Sequence, residues 1–137
     1  ERDSPLAGNN LIFVLRIVSP YGRTLLPGDI AAKAERAMLL EREGQLAAEV
    51  LVVPHHGSKS SSTETFLDTV QPRVALLPVG YRNRYHHPHP AVVARYVERG
   101  IALEDSATAG AISLRLDAAG LLMDRYRVSQ RRYWHGQ

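Results

Sequence analysis

Apolar and polar residues alternate along this chain in two different patterns. Short apolar runs bounded by Pro, Gly and polar residues predict strands, because a strand in a layered domain is short and mostly buried. The run 11–18 is apolar except for Arg16, and we expect it to be buried on both faces. The predicted strands span 11–18, 24–26, 49–53, 73–79, 101–104, 111–116 and 122–126.

Three longer segments are predicted to be helices. The first has one apolar face, formed by Ile30, Ala34, Ala37 and Met38. The pattern Ser61-x-x-Glu64 predicts a capping box that opens the second. The predicted helices span 30–43, 61–70 and 91–99. Strands that alternate with helices predict an α/β domain, with hairpins at both ends making the sheet mixed and the three helices on its outer face.

The composition is that of one soluble globular domain. The chain has 137 residues, of which 45% are hydrophobic and 23% charged. We expect neither a membrane helix nor a signal peptide within it, and we expect the polar segments 1–9 and 127–137 to be flexible. Because the chain has no Cys, a bound metal must be held by His, Asp or Glu, which favours zinc or manganese.

The charge gives a weaker indication. The net charge is +3, and all the basic residues except Lys33 and Lys59 are Arg. Arginine binds phosphate well, so a nucleic-acid partner is one explanation. A biased base composition of the source genome is the other.

The unusual polar residues follow the predicted strand ends. Asp29 follows one strand, His55 and His56 follow the next, and a His-rich loop at 80–90 follows the third. Five of the six histidines lie in these two stretches. Because loops at the carboxyl ends of strands share one edge of an α/β sheet, the pattern predicts a metal-binding edge.

Each element also has a structural explanation. Asp29 has the position of an N-cap for the first helix. Four serines lie within residues 58–62, shortly after the histidine pair, and their hydroxyls are possible hydrogen-bond partners. Pro90 has the position that favours the start of a helix. The stretch Gly57-Ser58-Lys59-Ser60 lacks the spacing of a phosphate-binding P-loop.

The stretches LLPGDI, VLVVPHHGSKSSS and VGYRNRYHHPHPAVV resemble the C-terminal metallo-β-lactamase-fold domain of ComEC-type DNA-internalisation competence proteins. The resemblance runs from about residue 10 to 112, in the same order and spacing. It implies half of an αββα sandwich, in which Asp29 bridges two divalent ions and His55 or His56 ligates one of them. It also implies DNA as a partner.

One signature of that fold is absent. Its first half carries an H-x-H-x-D-H motif, and no His precedes His55 here. The chain is therefore expected to be the C-terminal part of a metallo-β-lactamase-like domain in a larger inner-membrane protein, on the periplasmic side, with the preceding half and the membrane channel as its partners. We expect the isolated chain to bind metal weakly or not at all and to be inactive.

The resemblance also suggests roles for neighbouring residues. His87 and His89 are candidates for general acid catalysis or for a hydrogen bond to a phosphate oxygen. Candidates for contact with the nucleic-acid backbone are Ser58, Lys59, Ser60, Arg82 and Arg84. The predicted function is a metal-dependent nuclease that degrades the non-transforming strand during DNA uptake.

Two alternatives stay open. One is a non-catalytic nucleic-acid-binding or scaffold domain of the uptake channel. It draws on the basic stretch 125–134, in which arginines and aromatic residues are interleaved. The other is a phosphodiesterase of the same fold that acts on a small molecule.

Overall fold

The computed structural model describes residues 13–130, and its elements follow the predicted order. The strands are β1 Leu15–Ser19, β2 Gly22–Leu26, β3 Val50–Val52, β4 Val74–Leu77, β5 Ala102–Asp105, β6 Ile112–Asp117 and β7 Gly120–Arg125. The helices are α1 Ala32–Glu41, α2 Glu64–Val70, α3 Pro90–Glu98, and the one-turn helices α4 Ser106–Ala109 and α5 Tyr126–Ser129. Within residues 13–130, no helix has the length and apolar content needed to cross a membrane. The remaining residues of the segments expected to be flexible, 1–9 and 131–137, lie outside the described range.

Five strands form one mixed sheet in the order β1-β2-β3-β4-β5. β1 pairs antiparallel with β2, and all the other neighbours are parallel. Each parallel step advances by one strand through a helix. Because such crossovers are right-handed, all three connecting helices lie on the same face of the sheet.

The core lies between that face and the three helices. Leu25, Leu51 and Ala75 stand side by side in the sheet and are fully buried. They pack in one apolar cluster with residues of α2 and α3, and α1 contributes partly buried residues. The predicted fold class, an α/β arrangement with three helices on the outer face of a mixed sheet, is confirmed.

The burial predicted for the first strand is wrong. Leu15, Ile17 and Val18 are 55%, 51% and 61% exposed. β1 is the edge strand of the sheet and, within residues 13–130, pairs only with β2. An apolar run therefore indicated a strand here but did not indicate how deeply it is buried.

The C-terminal hairpin does not extend the main sheet as expected. β6 and β7 pair with each other over their full length around a two-residue turn and form a separate two-stranded sheet. Glu104 of β5 and Arg125 of β7 form an ion pair, with Arg125 Nε 2.7 Å from Glu104 Oε2. A Cβ on Gly22 would lie 3.3 Å from the Leu116 side chain. The hairpin thus contacts β5 and the start of β2.

A buried carboxylate connects α1 to the loop before α2. Glu35 is 0% exposed and accepts hydrogen bonds from Ser62 N at 2.5 Å, Thr63 N at 2.9 Å and Thr63 Oγ1 at 2.7 Å. Thr63 is the N-cap of α2. The predicted capping box is wrong, because Ser61 Oγ donates instead to the carbonyl oxygens of Pro54 and Ser58.

We expect Glu35→Ala to lower the free energy of unfolding by about 3 kcal/mol or more, because it leaves the buried Ser62 N–H and the half-buried Thr63 N–H without an acceptor and removes hydrogen bonds to a charged group. Urea denaturation followed by circular dichroism measures the change. Glu41→Ala, at the exposed end of the same helix, is the matched control and should change stability by less than about 0.5 kcal/mol. Equal stability of the two variants would contradict the role of Glu35.

Candidate metal centre

The predicted site residues lie at one edge of the sheet. β2, β3 and β4 are parallel, so the segments after their carboxyl ends come together. Asp29 follows β2, the histidine pair follows β3, and the His-rich loop follows β4. His55 N donates to Gly28 O at 3.0 Å, and His89 N donates to Gly57 O at 2.9 Å. Main-chain hydrogen bonds therefore connect all three segments.

The histidine pair lies in a tight turn, Pro54–Gly57, with an uncommon backbone. His55 and His56 have φ of 49° and 54°, and Gly57 has φ of 77°. Left-handed conformations cost non-glycine residues roughly 1–2 kcal/mol each and concentrate at functional sites. A Cβ on Gly57 would lie 2.7 Å from Pro88 Cβ. Glycine at this position therefore lets the His-rich loop approach the turn.

Asp29 and His56 form a carboxylate–imidazole pair at this edge. Asp29 Oδ1 lies 3.4 Å from His56 Nε2, and both side chains are about half exposed or more. The other ring nitrogen, His56 Nδ1, is 2.7 Å from Pro78 O. Asp29 does not cap α1, because the N-cap position is occupied by Ala31 without a side-chain hydrogen bond. The explanation of Asp29 as a helix cap is therefore wrong.

The His55 ring faces His87 rather than Asp29. It is edge-on to the ring of His87, with 6.2 Å between the centroids. Its Nδ1 is buried and has no hydrogen-bond partner within the described residues. The serine hydroxyls of the following loop do not bond either imidazole, since Ser58 and Ser60 contact each other at 3.1 Å.

The Asp29–His56 pair fits two ligands of one metal ion. Ligand atoms about 2.0–2.1 Å from a tetrahedral ion stand about 3.3 Å apart, close to the 3.4 Å between Asp29 Oδ1 and His56 Nε2. A carbonyl hydrogen bond to the second ring nitrogen is the usual support of a ligating histidine, and Pro78 supplies it. Within residues 13–130, however, no group of three or more His, Asp or Glu side chains could hold a metal. The described residues thus supply a pair of ligands rather than a closed set.

The His-rich loop is held by Asn83, which the sequence analysis did not single out. Asn83 Oδ1 accepts from His87 N at 2.9 Å, and Asn83 Nδ2 donates to His87 O at 2.7 Å. His89 is the N-cap of α3, and its Nδ1 accepts from Ala91 N at 3.1 Å. Because Nδ1 is an acceptor in this hydrogen bond, Nε2 carries the proton of neutral His89. Asn83 lies between two arginines in a polar loop, where asparagine is common, so its sequence position gave no specific signal.

Burial of His87, and then the nearby His55 and His56, lower the pKa of its imidazole. His87 is therefore neutral at pH 7. A neutral imidazole can accept a proton or donate one N–H to a phosphate oxygen, but it is not the imidazolium that a general acid at neutral pH requires.

The residues predicted to contact the nucleic-acid backbone lie in two segments around the Asp29–His56 pair. Ser58, Lys59 and Ser60 follow the turn directly, and Ala32 N donates to Ser60 O at 2.7 Å. Arg82 and Arg84 lie in the His-rich loop. In the basic C-terminal stretch, Arg125 is paired with Glu104 and Arg127 donates to the Ala107 carbonyl. Residues 131–134 of that stretch lie outside the described range.

A pocket of about 420 Å³ lies beside His87, under the same loop. Its floor is apolar and comes from β4, β5 and α3, and Arg82 and Asp105 add opposite charges to its rim. The edge therefore combines a carboxylate–imidazole pair, the His87 ring and an adjoining cavity.

Comparison with known proteins identifies the family. The chain is 38% identical to Competence protein ComA of Neisseria gonorrhoeae over 121 residues, which cover 88% of this chain and 17% of that protein. It is 32% identical to ComE operon protein 3 of Bacillus subtilis, over 93% of this chain and 15% of the relative. The chain belongs to the ComEC-type family. It matches the C-terminal domain of these proteins, as the sequence motifs predicted.

Further comparisons concern a third relative and the share of each relative that the chain matches. Recombination protein 2 of Haemophilus influenzae is 32% identical to this ComEC-type domain, over 92% of the chain and 15% of the relative. No protein-family model matches the chain. The chain spans 15–17% of the length of these curated relatives.

We expect the metal-free ComEC-type domain to show an NMR titration midpoint for His87 below 6.5, because burial and neighbouring imidazolium charges disfavour its protonated form. His55→Ala should raise the midpoint by removing one of those charges and opening the ring to water. Glu41→Ala should leave it unchanged. A midpoint at or above 6.5 would contradict the buried position of this ring.

We expect the chain to take up Zn²⁺ weakly in a calorimetric titration, because an open catalytic zinc site needs at least three protein ligands. The residual binding should be lost in His56→Ala and kept in His55→Ala, since only His56 faces Asp29. Tight stoichiometric uptake of two ions by the unmodified chain would rule out the two-ligand description.

Proposed function

We propose that this chain is part of a two-metal phosphodiesterase domain that cleaves DNA during competence. The observation that carries the proposal is the Asp29–His56 pair, with Oδ1 and Nε2 3.4 Å apart and the ring anchored on the Pro78 carbonyl. A carboxylate has two oxygens and suits a bridge between two ions, whereas an imidazole suits a terminal position. The remaining ligands would come from sequence outside this chain.

The comparisons support the biological setting of the proposal. One relative is named as a competence protein, one as a ComE operon protein and one as a recombination protein. We propose that the chain serves DNA uptake, in a protein of the inner membrane whose hydrolase domain lies on the periplasmic side. Its partners would be DNA, the preceding part of the domain and the membrane channel. Degradation of the non-transforming strand is the reaction proposed.

The proposed mechanism assigns a task to each residue at the edge. Two divalent ions, zinc or manganese, would supply an activated hydroxide and neutralise charge that develops on the phosphodiester. Asp29 and His56 hold their positions through the main-chain bond between His55 and Gly28 and through the Pro78 carbonyl. His89 Nε2–H is the available donor to a phosphate or leaving oxygen, and neutral His87 donates or accepts a hydrogen bond beside it.

A second candidate is a non-catalytic DNA-binding or scaffold domain. The observation that favours it is the lack of a cluster of three or more metal-binding side chains within residues 13–130. The two candidates differ in whether the longer protein cleaves a phosphodiester at all.

We expect a longer protein that includes the preceding sequence to cleave DNA with Mn²⁺ or Zn²⁺, and the 137-residue chain to be inactive. Asp29→Ala in the longer protein should abolish cleavage, because it would remove the proposed bridging ligand. The fold should be kept, since this carboxylate is 64% exposed and its contact within residues 13–130 is the one with His56. His89→Asn should lower the rate by roughly 10²–10³-fold, the usual cost of removing one hydrogen-bond donor to charge that develops in the transition state. Asparagine keeps an N-cap acceptor for α3, so this variant separates the imidazole from the cap.

The assay uses duplex DNA, single-stranded DNA and bis(p-nitrophenyl) phosphate, with EDTA as the chelation control and Asp124→Ala as an exposed acid away from the edge. Cleavage of the small ester alone would favour the small-molecule phosphodiesterase. DNA binding without cleavage of any substrate would favour the scaffold. Full metal-dependent activity of Asp29→Ala would overturn the proposed ligand assignment.

A further inference from the structure

The His-rich loop presents two exposed tyrosines that the metal site does not use. Tyr81 is 72% exposed and Tyr85 is 65% exposed. Each is followed or preceded by an arginine in the short stretch 81–85, which we name the Tyr–Arg loop. Two exposed rings thus occur four residues apart in one loop.

Each tyrosine carries a cation beside its ring. Arg82 Cζ lies 5.2 Å from the centroid of Tyr81, and Arg84 Cζ lies 5.0 Å from that of Tyr85. Arg84 Nη2 also donates to Tyr85 OH at 2.8 Å. Neither guanidinium is paired with a carboxylate within residues 13–130, so both charges remain available to an anion. The Tyr–Arg loop therefore offers planar surfaces and positive charge together.

Hydrogen bonds fix the conformation of the Tyr–Arg loop, and the loop leads toward the Asp29–His56 pair. The two hydrogen bonds between Asn83 and His87 close it from within. The Tyr85 ring is 6.0 Å from the His87 ring, which is 6.2 Å from the His55 ring. A row of rings thus runs from the exposed loop to the turn that carries His56. A ligand lying on the loop would enter the edge at His87.

Open rings beside cations favour one class of ligand. In single-stranded nucleic acid the base faces are free to stack on aromatic side chains, and the phosphates lie within reach of neighbouring arginines. In a duplex the base faces are stacked on each other and unavailable. Stacking on protein rings therefore distinguishes the two forms, whereas charge alone does not.

We propose that the Tyr–Arg loop binds single-stranded DNA by stacking of bases on Tyr81 and Tyr85, and delivers the strand to the Asp29–His56 edge. This inference rests on the proposed function for its choice of DNA as the ligand, and it names the single strand as the substrate form. It does not depend on cleavage, so binding without metal tests it separately.

The test measures fluorescence anisotropy of labelled dT12 and of a 12-base-pair duplex with the 137-residue chain in EDTA. The double variant Y81A/Y85A should weaken single-strand binding at least about fivefold per tyrosine, the lower range for a lost base–aromatic stack. Y81F/Y85F should bind within about twofold of the unmodified chain, because phenylalanine keeps the stacking face. Tyr21→Ala removes a tyrosine that is 56% exposed in the β1–β2 turn and should change nothing.

A second measurement separates stacking from charge. R82Q/R84Q should weaken both forms of DNA and flatten the salt dependence of binding, whereas Y81A/Y85A should spare the duplex and the salt slope. Unchanged single-strand affinity of Y81A/Y85A would overturn the proposal, as would equal losses for single strand and duplex, or no DNA binding by the unmodified chain. The same variant in a longer protein separates the two proposals. If the longer protein never cleaves DNA but Y81A/Y85A loses single-strand binding, the proposed role of the Tyr–Arg loop is supported and the proposed nuclease function is refuted. If the longer protein cleaves DNA and Y81A/Y85A binds single strands normally, the nuclease function is supported and the role of the loop is refuted.

Discussion

The buried carboxylate of Glu35 holds the loop on which the candidate site is built. It accepts hydrogen bonds from the Ser62 and Thr63 N–H groups, directly before α2. The same loop begins at the turn that carries the histidine pair. The loop is also fixed from α3, because Ser62 Oγ contacts Tyr96 OH at 2.9 Å and Arg95 Nη1 donates to the carbonyls of Ser61 and Ser62. Three helices thus meet in one polar network beneath the serine-rich loop.

The phenol in that network stays neutral. Burial is the main cause that raises the pKa of Tyr96 far above its ordinary value. The hydrogen bond with the Ser62 hydroxyl opposes it, and the nearby Glu35 carboxylate adds a smaller increase. A neutral phenol can share a hydrogen bond with Ser62 without placing a second negative charge beside Glu35. The network is therefore satisfied with a single buried carboxylate, and polar groups that would be costly to bury unpaired instead define one loop conformation.

The sequence predicted the order and type of most elements because hydrophobic periodicity carries that information. It placed Asp29 and the histidines at strand ends correctly, since parallel strands leave few other arrangements. It did not predict the partners of single polar atoms. Glu35 looked like one charged position of an amphipathic helix, because its acceptor role depends on residues 27 and 28 positions later in the chain.

The same limit applies to the edge itself. Sequence could not choose between His55 and His56, because the choice depends on two left-handed backbone conformations that non-glycine residues rarely adopt. Nor could it indicate that the Pro78 carbonyl supports one of the rings, or that Asn83 closes the loop. The burial predicted for β1 was wrong for a related reason. Strand propensity indicates neither which strand lies beside a given strand nor which face its neighbours cover.

Strand β1 also affects how molecules of this chain behave toward each other. Within residues 13–130 the outer side of β1 is unpaired, and an edge of this kind with exposed Leu15, Ile17 and Val18 is a template on which a strand from another molecule can pair. Arg16, the one charged residue of β1, lies between those apolar residues and donates from Nη2 to the Ala47 carbonyl at 3.2 Å. A charge in the middle of an edge strand is a common protection against such pairing. We therefore assign to Arg16 a role against self-association. Self-association depends on protein concentration, whereas the chemistry of the histidines does not.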